Sequence, residues 1–136
     1  MNCKGYCLWA SDVPSPEAPH FIVIISSENE ERKVLVVAIS SIKFKSDGTT
    51  KYYDKACVLS PEDITDEKGK QILSVPSYVR YEYAMEIASE DIMDKQLNRL
   101  YKYKCKVSEE LLTKIQEGAK ISLELEERFK KYFSLF

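Results

Sequence analysis

The single histidine, His20, and the adjacent pair Ser40 and Ser41 are the residues of this chain best placed to do chemistry. His20 opens an apolar run over 20–25. The serines follow a second apolar run over 33–39. If the two runs pair antiparallel through the polar loop 26–32, the start of the first lies beside the end of the second. His20 then neighbours Ser40 and Ser41. An imidazole beside hydroxyls can serve as a general acid–base or bind a phosphate. The plainer alternative is a histidine facing water at a strand start and serines capping a strand end.

Two basic-aromatic clusters come next. Lys43, Phe44 and Lys45 with Lys51, Tyr52, Tyr53 and Lys55 form the first, and residues 99–106 the second. Lysines neutralise phosphates, and tyrosines stack on unpaired bases. Against that stand a solvated loop for the first cluster and the snorkelling end of an amphipathic helix for the second. No Gly-rich phosphate loop, Gly-x-Ser-x-Gly elbow or His-Glu-x-x-His motif is present. Cys3 and Cys7 are spaced like half of a zinc site, but Cys57 and Cys105 stand singly. Zinc uses four ligands, usually as two close pairs, so no metal and no cofactor is expected.

The elements that must position these residues read as β first and helix later. Residues 5–10 form a first strand. Three prolines within 14–19 then impose a loop. The runs 20–25 and 33–39 are β-branched and apolar on both faces, as in central strands covered on each side. Ser46-Asp47-Gly48-Thr49 marks a turn between 42–45 and 51–53. Residues 55–59 form a short strand, Ser60-Pro61-Glu62-Asp63 a helix start, and 77–84 a further strand. Ser89 caps a helix over 90–101 and Ser108 caps another. Gly118 ends or weakens that second helix. Ile121, Leu125, Phe129, Tyr132, Phe133 and Phe136 continue as one apolar stripe. About five strands followed by helices favour a small antiparallel barrel, residues 1–88, with a helical extension, 89–136, packed on it as one domain.

The chain has 136 residues, enough for about one domain. Its 20 Lys+Arg against 22 Asp+Glu leave a net charge of −2, which argues against general polyanion binding and requires any nucleic-acid contact to use a local patch. No apolar run approaches the ~20 residues of a membrane span, and no signal-peptide pattern is seen. The expectation is a cytoplasmic protein with no membrane partner.

The order of 19–24, 34–41, 54–59 and Pro76-Ser77-Tyr78-Val79-Arg80-Tyr81 with Ala84 resembles the MazF/PemK-like toxin superfamily. It is most similar to a divergent branch of small bacterial and phage proteins. The resemblance covers roughly 5–90 and implies a small SH3-like antiparallel β-barrel with C-terminal helices. It also implies a homodimer, single-stranded RNA as substrate, metal-independent endoribonuclease activity, and an antitoxin protein as partner. The family places an arginine just before the strand that His20 opens and a hydroxyl residue after the next strand. Here Ser40 or Ser41 matches the hydroxyl, whereas Pro19-His20 stands at the arginine position. The implied catalytic set is therefore His20, Ser40 and Ser41. The RNA-binding set is Lys43, Lys45, Lys51, Tyr52, Tyr53, Asp54, Ser77, Tyr78 and Tyr81. The competing readings are a non-catalytic binding or regulatory module on the same barrel, with Asp54 bracing a turn and the tyrosines filling the barrel mouth, and a partner protein working through its C-terminal stripe.

Overall fold

The computed structural model describes residues 2–12 and 20–136; the expected proline loop over 14–19 lies outside the described residues. Six strands make one antiparallel sheet: β1 (Tyr6–Ala10), β2 (His20–Ile24), β3 (Lys33–Ser41), β4 (Val58–Leu59), β5 (Ser77–Ala88) and β6 (Tyr101–Lys106). Two α-helices are described, α1 (Ser89–Leu97) and α2 (Glu109–Ile121), with 3-10 segments at Pro61–Asp63 and Glu127–Leu135. The strand order is β4-β5-β3-β2-β1-β6, and the sheet curls into a half-barrel. The pairing register shifts between Cys7 and Leu8 against β6 and between Val36 and Ala38 against β5, which breaks the regular ladder at both places.

β2 and β3 occupy the middle of the sheet, as their two apolar faces require. Alternation sends Val23, Leu35, Val37 and Ile39 into one core and Ile22, Ile24, Val36 and Ala38 into another. The first core also contains Leu111, Ile115, Phe129 and Tyr132, so α2 and the C-terminal segment cover that face. Ile92 of α1 belongs to the second core.

The expected helix over 90–101 stops at Leu97, and Arg99 turns the chain with a φ of 61°. Residues 101–106, expected to end that helix, instead form β6 on the outer edge of β1. Their pattern explains it. Lys102, Lys104 and Lys106 alternate with Tyr101, Tyr103 and Cys105, which is a period of two. Three lysines along an edge strand also discourage pairing with another chain. Residues 89–136 are thus not a purely helical extension, because they complete the sheet. The cap of α1 is Ala88 rather than Ser89. Ser108 does cap α2, its Oγ accepting from the Leu111 N–H at 3.1 Å.

Gly118 lies inside α2 and does not end it. A Cβ there would stand 2.3 Å from the Tyr81 hydroxyl, so glycine lets α2 approach the sheet. The turn expected at 46–49 is formed within an exposed segment: Phe44 bridges Thr50 antiparallel, and the Lys45 and Lys51 N–H groups donate to the Thr49 and Lys43 carbonyls. The Ser60 start opens only a 3-10 turn, closed by the Ser60 N–H donating to Asp63 Oδ2 at 2.7 Å. No helix among the described residues is long and apolar enough to cross a membrane.

Candidate functional site

β2 and β3 form the antiparallel pair inferred from the hairpin, with Phe21 opposite Ile39. Continuing that register by one residue sets His20 beside Ser40. Ser40 in turn faces Tyr78, Ser41 faces Ser77, and Ala10 faces His20. His20, Ser40, Ser41 and Ser77 therefore line one shallow cleft of about 250 Å3, together with Trp9, Phe21 and residues 72–75. Trp9 and Phe21 meet edge to face at 4.6 Å.

The polar groups of this cleft differ in how they are held. The His20 Nδ1–H donates to the Ile39 carbonyl at 3.1 Å; a carbonyl only accepts, so the proton is on Nδ1. Ser77 Oγ donates to the Val75 carbonyl at 2.9 Å. Ser40 is only 3% exposed, and its Oγ has no hydrogen-bond partner among the described residues. A buried hydroxyl without a partner costs about 1–3 kcal/mol, so its retention is unexpected on stability grounds. No lysine or arginine is among the lining residues.

The expected RNA-binding residues gather elsewhere. Tyr52, Tyr53, Asp54, Tyr78 and Tyr81 line a second cleft of about 260 Å3 with Arg80, Glu82 and Glu124. Tyr52 and Tyr53 are also shared with an adjoining groove lined by Lys51 and Lys55. Lys43 and Lys45 sit on the exposed loop and line none of these clefts. Tyr78 connects the regions, since it faces Ser40 across the sheet and packs against Tyr53 at 5.5 Å.

Several of these side chains also have structural work. Asp54 accepts from the Ala56 N–H at 2.9 Å and from Ser122 Oγ at 2.6 Å, which braces its loop against the end of α2. Tyr81 is fully buried and donates to the Ile115 carbonyl at 2.6 Å; burial raises its phenol well above the ordinary value. Tyr52 donates to Glu124 Oε1 at 2.8 Å, a bond to a carboxylate that raises its phenol too. Arg80 pairs with Glu82 at 2.6 Å and lies over the Tyr83 ring.

Arg80, Glu82 and Glu124 were not singled out from sequence. The period of two along the strand, which sets Arg80 and Glu82 on the same face as Tyr78, is the signal that could have found the first two. Glu124 had no local indication, because the tertiary fold brings it to Tyr52. All four cysteines are buried and free. Cys7 faces Cys105 across β1 and β6, and its thiol is raised by that contact and by burial. No cluster of three His, Cys, Asp or Glu among the described residues could hold a metal ion.

No protein-family model, curated protein or solved structure matches this chain.

Proposed function

We propose that the chain is a toxin-like protein on an SH3-like barrel that binds single-stranded RNA and cuts it without metal at the His20 cleft. The observation that carries this reading is the shared cleft of His20 and Ser40, whose buried hydroxyl has no partner among the described residues. The His20 imidazole, oriented by its Nδ1–H bond to the Ile39 carbonyl, is the group that exchanges the proton. It accepts the proton of an RNA 2′-hydroxyl, and the 2′-oxygen attacks the adjacent phosphorus. The bond to the 5′-oxygen breaks, and that oxygen receives a proton from the imidazolium. The products are a 2′,3′-cyclic phosphate and a 5′-hydroxyl. Ser40 and Ser41 donate to the non-bridging oxygens, and Lys43, Lys45 and Lys51 attract the strand. By the same reading the active form is a homodimer restrained by an antitoxin protein in the cytoplasm.

A second reading, binding without cleavage, is favoured by the lack of a lysine or arginine among the cleft's lining residues. Charge developing on the phosphate would then meet only neutral donors. Mixed-sequence single-stranded RNA in excess chelator separates the two, with binding and product ends measured on the same samples. Cleavage yielding cyclic phosphate ends, lost in His20→Ala and reduced in Ser40→Ala with binding retained, supports the nuclease. Binding without cleavage supports the second reading. RNA that neither binds nor is cut removes both, and cleavage that survives His20→Ala moves the chemistry away from this cleft.

A further inference from the structure

Tyr52 and Tyr53 form a wall between two environments of opposite charge. On one side Lys51 and Lys55 line an open groove of about 410 Å3. On the other, Asp54, Glu82 and Glu124 line a cleft of about 260 Å3 together with Arg80, which pairs with Glu82. A phosphate is attracted to the first side and repelled from the second. The cleft is walled by Tyr52, Tyr53 and Tyr78, and Tyr52 is 82% exposed. Flat aromatic walls accept the face of an unpaired base.

Resting on the RNA-binding reading above, we infer that this cleft selects the base of the bound strand. The phosphate lies over Lys51 and Lys55, the base passes the tyrosine wall, and its Watson–Crick edge meets the carboxylates of Glu82 and Glu124. Carboxylates only accept hydrogen bonds. They suit an edge rich in donors, and guanine offers N1–H and an exocyclic amino group side by side. Adenine and cytosine offer one amino group each beside a ring acceptor. Uracil presents two carbonyl oxygens around a single N3–H, so its oxygens face carboxylate oxygens and are rejected.

The two carboxylates are held ready. Glu82 is tied to Arg80 and Glu124 to Tyr52, in each case through Oε1. Oε2 of each carries no further bond among the described residues. Asp54 is committed to its loop and to Ser122, so it contributes charge rather than readout.

The test uses short labelled oligouridines carrying uracil, cytosine, adenine or guanine at one central position, with binding followed by fluorescence anisotropy at low salt. The guanine oligonucleotide should bind about tenfold more tightly than the all-uracil one, with adenine and cytosine between them. The double variant Glu82→Gln/Glu124→Gln should erase that order while still binding RNA. Both side chains lie at the surface, and circular dichroism checks that the fold persists. Equal affinity for all four oligonucleotides, or an order that persists in the double variant, overturns base selection and leaves RNA binding standing. If none of the four binds, the RNA-binding reading falls as well.

Discussion

Replacing Ser40 by alanine tests whether its hydroxyl is kept for a ligand or for the fold. Ser26 provides the matched comparison, because it is equally buried and undergoes the same chemical change. The Ser26 hydroxyl accepts from the Leu35 N–H at 2.8 Å, and Ser26 is fully buried. Ser26→Ala therefore strands a buried donor and should cost about 1–3 kcal/mol. Ser40 Oγ has no such partner among the described residues, so Ser40→Ala removes a desolvated hydroxyl without orphaning another of them. Its effect should lie between zero and a gain of about 1 kcal/mol, since the penalty removed is offset in part by lost packing. The gap between the variants is then about 2 kcal/mol, equivalent to roughly 6–10 °C in melting temperature for a chain of this size. Urea and thermal unfolding of the two variants and the wild type measure it, and RNA cleavage by the Ser40 variant gives the functional half. If Ser40→Ala loses as much stability as Ser26→Ala, the hydroxyl is structural, and its role at the cleft loses its physical support.

Gly118→Ala should destabilise the protein by about 1–2 kcal/mol. The helix preference for alanine, about 1 kcal/mol, is outweighed by crowding against Tyr81 Oη at 2.3 Å and Cys57 Cβ at 2.9 Å. Adding Tyr81→Phe should recover part of the loss, and a urea midpoint above wild type for the single variant would contradict this packing. Ser108→Ala removes the α2 cap and should cost about 1 kcal/mol in the same assay. Glu86 accepts from the Tyr132 hydroxyl at 2.5 Å and pairs with Lys131 at 3.1 Å; these contacts, the hydroxyl first, hold its carboxyl below the ordinary 4.5. A lowered carboxyl adds stability that is present above pH 4.5 and is lost as pH falls through its folded value. Melting temperatures between pH 7 and pH 3 should therefore fall less steeply in Glu86→Gln than in wild type, and parallel curves would refute the linkage.

The centre of this fold was legible because its strands leave little choice. Runs such as Ile22-Val23-Ile24 and Val34-Leu35-Val36-Val37 are β-branched on both faces, and only a covered central strand buries both. Once they pair through a short loop, the meeting of His20 and Ser40 follows from direction alone. That Tyr52, Tyr53 and Asp54 share a surface was legible from their adjacency, whereas Tyr78 and Tyr81 join them in one cleft only through the fold. Three features escaped. β6 was hidden because tyrosines between lysines also suit the end of a helix, and only the partner strand β1 decides between the two. The course of α2 through Gly118 depends on a close approach to Tyr81 that local propensity does not contain. The carboxylates of Glu82 and Glu124 reach the tyrosines from β5 and from beyond α2, so no spacing in the chain announces that they meet.

The place of β6 at the outer edge of β1 has a consequence for how the molecule is made. A ribosome releases the first strand early, yet the strand that covers its free edge follows about ninety residues later. During that interval the nascent chain exposes an unsatisfied backbone ladder beside the apolar side chains of Cys7, Leu8 and Ala10. Residues 101–106 thus act as the closing piece of the sheet, and shortened versions ending before residue 101 would be prone to self-association.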